Sequence, residues 1–205
     1  MKIEFWSDIV CPYCGLMDHR LRLALDRFAY GDQVQVTHRS FQLHPDLPRA
    51  GVSQRKLIEM VGAPRSTVDR ILRPIERAAE AEGLSPYRAI DRTLGPTDLA
   101  HELLAYAADQ GRGNEIWAAE ALRSRRYRAH VAADQTEAQR LGANGTPFLV
   151  LDDRVAIPGA VGTDDLLAVI TKVWAESHPM PQPLPVVATA DDLCTPDSCA
   201  APSTT

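Results

Sequence analysis

No apolar run in the 205 residues approaches the roughly 18 needed to span a membrane. The first ten residues, MKIEFWSDIV, lack both the apolar stretch of about 7–15 residues and the small-residue cleavage site of a secretory signal. The expected compartment is therefore the cytoplasm, with no membrane association. An excess of positive charge is also missing: 22 Lys+Arg against 27 Asp+Glu leaves a net charge of −5. That balance excludes a general binder of nucleic acid or of acidic membrane surfaces. The six histidines include no i, i+4 pair of the kind that grips a metal. There is no internal repeat. Cysteines number four, with none between Cys14 and Cys194, so no staple framework closes long loops. None is needed, since a chain of this length buries roughly 70% of its unfolded surface. At 45% hydrophobic and 24% charged residues, the composition is that of one globular domain with an elaboration.

What is present begins with a strand over 2–7, where Ile3 and Phe5 alternate with Lys2 and Glu4. Met17, Leu21, Leu25 and Phe28 then form one stripe of an amphipathic helix. A turn at Gly31-Asp32 leads into a second strand from Val34 to Phe41. From about 51 to 142 the pattern is helical. Ser53 caps a helix carrying Leu57, Ile58 and Val61, and Pro64 opens one carrying Val68, Ile71, Leu72 and Ile75. Pro74 is expected to kink or break the latter. Thr97-Asp98 caps a helix through Leu103, Leu104 and Ala107 that ends at Gly111. Further helices are expected over 114–129 and 133–141. Phe148-Leu149-Val150-Leu151 reads as a buried strand. A turn at Asp152-Asp153 leads to another strand over 154–157, and a final helix starts at Thr163 with Leu166, Leu167, Ile170, Val173 and Trp174 on its inner face. After Glu176 six prolines between 179 and 202 mark an extended tail. The order β-α-β, helices, β-β-α predicts one α/β domain formed by 1–50 and 143–176, interrupted by a helical insertion over 51–142 and followed by a Pro-rich tail over 177–205.

The cysteines fall in two close pairs, Cys11-Pro12-Tyr13-Cys14 and Cys194 with Cys199. In a reducing compartment such pairs do redox work or bind metal. The first pair stands where a strand hands over to a helix, the thioredoxin-like arrangement. A cysteine there sees the positive end of the helix dipole and unpaired N–H groups, which stabilise its thiolate. Cys11, its side chain expected to be exposed, is the candidate nucleophile. Cys14, one turn further in, is placed to resolve a mixed disulfide. Pro12 suits the first helical position because it lacks an N–H. The other reading is a pair of zinc ligands or two ordinary buried cysteines. Pro147 precedes a buried strand, and beside such a CxxC a cis Thr146–Pro147 bond is expected, although only about 5% of X–Pro bonds are cis.

The segments FWSDIVCPYC over 5–14, SFQLHP over 40–45, GTPF over 145–148 and IPGA over 157–160 resemble the FrnE branch of the DsbA-like thiol oxidoreductases, over about residues 1–176. The resemblance implies a thioredoxin fold with a helical insertion, a nucleophilic Cys11, a resolving Cys14 and a cis Pro147. It also implies that Thr146 offers backbone hydrogen bonds to an extended substrate chain, and that Pro12 and Tyr13 adjoin that chain. The departures are an insertion that lacks roughly a helical hairpin between Gly113 and Ala133, by ordinary helix lengths, with Pro96 where Asn is expected and Val161 where Gln is common.

The expected activity is disulfide exchange with proteins or small-molecule disulfides, without a cofactor but with glutathione as a candidate reductant. One alternative is a glutathione-dependent transferase or isomerase of the kappa or hydroxychromene-carboxylate type. Such enzymes generally keep a lone Ser or Cys, and the intact Cys11/Cys14 pair speaks against them. The other is a non-enzymatic module holding zinc or copper(I) with all four thiolates. Cys194 and Cys199 are read as an auxiliary redox pair, less acidic than Cys11 because Asp191, Asp192 and Asp197 surround them. About 18 residues separate Trp174 from Asp192, a flexible reach of roughly 20–25 Å. The four arginines of residues 123–128 read as a solvated helical face, Trp6 as a packing residue, and His19 and His44 as candidate tuners of a thiolate.

Overall fold

The computed structural model describes residues 1–60, 62–64, 66–110 and 122–179. Four strands form one sheet. β1 (Lys2–Ser7) pairs in parallel with β2 (Gln35–Ser40) and antiparallel with β5 (Phe148–Leu151), and β5 pairs antiparallel with β6 (Val155–Pro158). The parallel step from β1 to β2 is made by α1 (Pro12–Arg27), as a parallel connection requires. Asp152 and Asp153, both at positive φ, make the tight turn between β5 and β6, a backbone region that Asp tolerates better than most residues.

β1 is buried on both faces. Ile3 and Phe5 join Met17 and Leu21 of α1 and Ile170 and Trp174 of α6 (Thr163–Ser177) in the main core. Trp6 points the other way, packed with Phe148 and Ala138, and its Nε1–H donates to the Asp134 carbonyl at 2.9 Å. Glu4, which the alternation puts on a polar face, is buried but ion-paired with Arg39 at 2.6 Å and Lys2 at 3.1 Å. At the far end of α6 Trp174 is sandwiched, 4.9 Å from the Tyr30 ring and 3.8 Å from His178.

Between β2 and β5 lie β3 (Val52–Ser53), α2 (Gln54–Met60), α3 (Ser66–Ala81), β4 (Thr93–Leu94), α4 (Asp98–Gln110) and α5 (Arg128–Arg140). Ser53 caps α2, its Oγ accepting the Lys56 N–H at 3.2 Å. The β3–β4 ribbon is too short to leave an alternating pattern. Pro74 does not break α3, which runs through it. The residue is exposed, and its ring deprives the Arg70 carbonyl of an N–H partner. Val68, Leu72, Ile75 and Ala79 of α3 pack on Leu16 of α1, whereas Ile71 is exposed.

α4 reverses its expected polarity: Leu103 and Leu104 are exposed, and His101, Glu102 and Tyr106 are buried. Its inner face meets charged partners, Asp8 for His101 and Arg125 for Glu102, and apolarity alone cannot reveal that. Residues 125–127 form a turn with Arg125 at φ 54°, so the arginine stretch is not one helical face. Arg125 pairs with Asp98 and Glu102, and Arg126 lies over the Tyr127 ring. Val61, Gly111 and residues 114–121 of an expected helix lie outside the described residues, as do Cys194, Cys199 and nearly all of the tail.

Candidate active site

Strand β1 ends at Ser7, and residues 8–11 carry the chain into α1. Cys11 is the N-cap, with extended backbone, and Pro12 follows at the first helical position, where its missing N–H leaves no partner wanting. The Cys11 N–H donates to the Asp8 carbonyl at 3.0 Å and the Cys14 N–H to the Cys11 carbonyl at 3.2 Å. That turn brings both sulfurs to the same end of the helix. Across from them the Thr146–Pro147 bond is cis, and the Cys11 thiol donates to the Thr146 carbonyl at 3.4 Å. Both cysteines are free thiols, and the expected exposure of Cys11 is corrected to 6%. The chain around Thr146 covers the Cys11 side chain from the far side.

The two thiols differ sharply. A hydrogen bond from Cys14 lowers Cys11 to about 7 against the opposing effect of burial; the Thr146 side chain and the N–H groups of Cys14 and Tyr13 add to the lowering. The same sulfur–sulfur bond pushes Cys14 up, and burial and the Cys11 charge push it further. Among the described residues Thr146 Oγ1 is buried without a hydrogen-bond partner, so its hydroxyl is available to the Cys11 sulfur once that becomes a thiolate. None of the leading influences on either thiol comes from His19 or His44.

The residues named from the sequence are divided by the fold. Cys11, Cys14 and Pro12 line one cleft of about 1000 Å³, the Thr146 carbonyl lies on Cys11, and Tyr13 lines a separate, smaller hollow beside Pro74 and Ala160. The main cleft extends along β2 and has Leu104, Ala105 and Ala108 of α4 on its opposite wall. Cys194 and Cys199 are outside the described residues.

Several residues that the sequence did not single out hold this site. Asp8 is buried and accepts the Leu43 N–H at 2.6 Å, the Val10 N–H at 3.4 Å and the His101 ring at 3.3 Å. Burial raises its pKa, but the bonds from His101 and Leu43 outweigh that and hold it below its ordinary value. Tyr87 donates its hydroxyl to the Pro12 carbonyl. Gly15 makes room for that approach, since a Cβ there would stand 2.7 Å from the Tyr87 hydroxyl. Arg92 donates to the Val10 carbonyl at 2.6 Å and to Gln54 at 3.0 Å. Burial lowers its pKa while the Cys11 charge favours its cation. A second cis bond, Ser85–Pro86, stands immediately before Tyr87. Asp8 lies within the FWSDIVCPYC segment; nothing in the local sequence marks Tyr87 or Arg92.

Among the described residues no group of three or more His, Cys, Asp or Glu is placed to hold a metal, and no helix is long and apolar enough to cross a membrane. A family model described as a DSBA-like thioredoxin domain matches residues 2–119 and 114–171. The chain is similar to a probable DsbA oxidoreductase from Streptomyces coelicolor, 29% identical with a TM-score of 0.75 over 99% of this chain and 100% of that one. A 2-hydroxychromene-2-carboxylate isomerase is 12% identical with a TM-score of 0.51 over 89% of this chain and 100% of that one. The cytosolic disulfide reductase DsbM from Pseudomonas aeruginosa, solved with GSH, is 16% identical with a TM-score of 0.48 over 84% and 98%. No curated protein matches. The fold is the mixed α/β thioredoxin-like fold of the matching family.

Proposed function

Because the chain belongs to the DSBA-like thioredoxin domain family, whose members are generally thiol–disulfide oxidoreductases, we propose that it exchanges disulfides with protein substrates through Cys11 and Cys14. The observation that carries the reading is the asymmetry of the pair at the start of α1: Cys11 is held near 7 and Cys14 is pushed up. A thiolate is the attacking species, so at neutral pH Cys11 attacks a substrate disulfide and forms a mixed disulfide. Cys14 gives up its proton, displaces the substrate sulfur and closes the Cys11–Cys14 disulfide; one substrate disulfide is reduced and one disulfide forms in the protein. The reverse sequence oxidises a substrate dithiol.

Within this reading the chain falls in the FrnE-like branch and works in the cytoplasm. Thr146 and Pro147 seat the substrate backbone, with Pro12 and Tyr13 bordering it. The division into a core of 1–50 and 143–176, an insertion of 51–142 and a tail of 177–205 belongs to the same reading. Arg88 and Arg92 in the cleft supply positive charge suited to the carboxylates of glutathione as reductant. Cys194 and Cys199 act as an auxiliary pair that exchanges with the first. The retained, buried Cys14 disfavours the glutathione transferase and isomerase alternative, which needs no resolving thiol.

The test is reduction of a disulfide-bonded peptide with dithiothreitol as electron source. Cys11→Ser is expected to abolish turnover. Cys14→Ser is expected to accumulate a mixed disulfide between Cys11 and the peptide. Accumulation in Cys11→Ser and its absence in Cys14→Ser would overturn the assignment.

A further inference from the structure

Two backbone carbonyls flank Cys11, that of Val10 before it and that of Pro12 after it, and one short segment between α3 and β4 supplies a donor to each. Tyr87 donates its hydroxyl to Pro12, and Arg92 donates from Nη2 to Val10 at 2.6 Å. The Val10–Cys11 peptide is thereby held at both ends, because its N–H donates to the Asp8 carbonyl at 3.0 Å. Arg92 is aimed by Gln54, which is buried. The Gln54 side-chain oxygen accepts from Arg92 Nε at 3.2 Å and Nη2 at 3.0 Å, and the Gln54 N–H donates to the Arg92 carbonyl at 3.0 Å.

All of these acceptors are neutral. Among the described residues no carboxylate is within ion-pair distance of Arg92, whose hydrogen bonds go to Val10 and Gln54. Yet the side chain is half-buried in the cleft that contains Cys11 and Cys14, where a cation calls for an anion. The nearby acids are committed elsewhere. Asp8 holds His101 of α4, and Glu76 of α3 accepts the Ala89 and Ile90 N–H groups. Burial works against the Arg92 cation, and the Cys11 charge leads the influences that support it, ahead of Tyr87, Asp8 and Glu76. At Cys11 itself the hydrogen bonds of Cys14 and Thr146 are stronger, so Arg92 adds to them at longer range.

We propose that Arg92 is a positioning residue that sets the redox poise of the Cys11–Cys14 pair. Through the Val10 carbonyl it fixes the backbone that delivers Cys11. Its charge favours the reduced pair with Cys11 ionised over the disulfide, whose sulfurs carry no charge, and a pair whose reduced form is stabilised gives up its disulfide more readily. The inference rests on the proposed oxidoreductase reading. The exchange it biases is that of the pair with glutathione disulfide: the Cys11–Cys14 bond forms, the glutathione S–S bond breaks, two electrons pass to the two glutathione sulfurs, and these take up protons from solvent in place of those the pair has released.

The experiment is equilibration of the full-length protein and its Arg92→Gln variant with glutathione and glutathione disulfide at pH 6 and pH 8.5, with iodoacetamide titration of Cys11 in parallel. The Cys11 midpoint, near 7 in the wild-type chain, is expected to rise by about half a unit in Arg92→Gln. At pH 8.5 the disulfide is then favoured about threefold more than in wild type, and at pH 6, where both proteins hold a neutral thiol, the ratio falls to about one. His38 of β2 and His130 of α5 line the same cleft and are unchanged in the variant, so the ratio removes them. Arg92→Lys, which keeps the cation, is expected to restore at least half of the shift. Equal equilibria at pH 8.5, a shift of the same size at both pH values, or Arg92→Lys behaving as Arg92→Gln overturns the inference. Gln54→Met removes the acceptor that aims the guanidinium and is expected to move the pH 8.5 equilibrium the same way by a smaller factor. It carries the test where Arg92→Gln does not fold, and an unchanged equilibrium there is equally fatal. Absent peptide-disulfide turnover in the wild-type chain, with the pH-dependent ratio intact, strikes the oxidoreductase reading alone.

Discussion

His101 Nε2 lies 3.3 Å from Asp8 Oδ1, and neither side chain is more than 2% exposed. The pair joins α4 to the loop that delivers Cys11, across 93 positions of chain. Asp8 serves that loop twice, because its carboxylate holds the Leu43 and Val10 N–H groups while its carbonyl holds the Cys11 N–H. An acid 2% exposed beside the reacting sulfurs is thereby a part of the frame rather than a free base.

Asp8→Ala is expected to destabilise the protein by about 3 kcal/mol, the usual order for breaking a buried pair and stranding its partner. Asp8→Asn, which keeps an acceptor for Leu43, loses less. Because the folded pKa of Asp8 is lowered from 3.8, its contribution is present above that value and disappears as pH falls through the folded one. Urea unfolding between pH 2 and 6 checks both statements: the acid-side loss of stability is shallower in Asp8→Asn than in wild type.

Cys11 is expected to react with iodoacetamide with a midpoint near pH 7, while Cys14 stays unreactive through pH 9. The folded value lies below the unfolded one near 9, so between about pH 7 and 9 the unfolded chain holds a proton that the folded chain has released. Stability of the reduced protein then rises with pH over that window, by about 2 kcal/mol at most. Cys11→Ser flattens the rise. Urea midpoints at pH 6.5 and 8.5 under reducing conditions decide it, and a falling stability would refute it.

Thr146→Val keeps the size of the side chain and the backbone carbonyl that accepts from Cys11, but removes the hydroxyl that favours its thiolate. The alkylation midpoint of Cys11 is expected to rise by about half a unit to one unit, the scale of one charge-assisted hydrogen bond. Global stability changes little, because Oγ1 has no partner in the dithiol state. An unmoved midpoint would remove Thr146 from the thiolate's environment.

Gly15→Ala places a methyl group 2.7 Å from the Tyr87 hydroxyl and displaces it from the Pro12 carbonyl. A loss of about 1–3 kcal/mol is expected from overpacking and the broken bond. Tyr87→Phe alone loses about 1 kcal/mol. In the double variant the two effects are less than additive, since they break the same contact. A double-mutant cycle by thermal unfolding tests this.

The sheet strands, the strand–CxxC–helix handover and the final helix were legible because short periods and turn residues carry them. Phe148–Leu151 announces itself by composition, and Asp152-Asp153 by turn chemistry. The middle of the chain was less legible for a physical reason. In α4 the buried residues are His101 and Glu102, whose burial depends on Asp8 and Arg125, and no local pattern encodes a partner so distant in sequence. Pro74 stands on an exposed face of α3, which runs through it unbroken. At the site, the cysteines could be read from spacing, but Tyr87 and Arg92 reach Pro12 and Val10 only through the folded path of the chain between α3 and α4.

The ties across the cleft have a mechanical consequence. His101 to Asp8, Arg92 to Val10, Tyr87 to Pro12 and Arg20 to Glu82 all join the helical segment to the strand–helix unit that carries the cysteines. Parting the two walls breaks several polar contacts at once, and breaking a single buried pair alone costs about 3–5 kcal/mol. The cleft is therefore a slot of fixed gauge rather than a jaw.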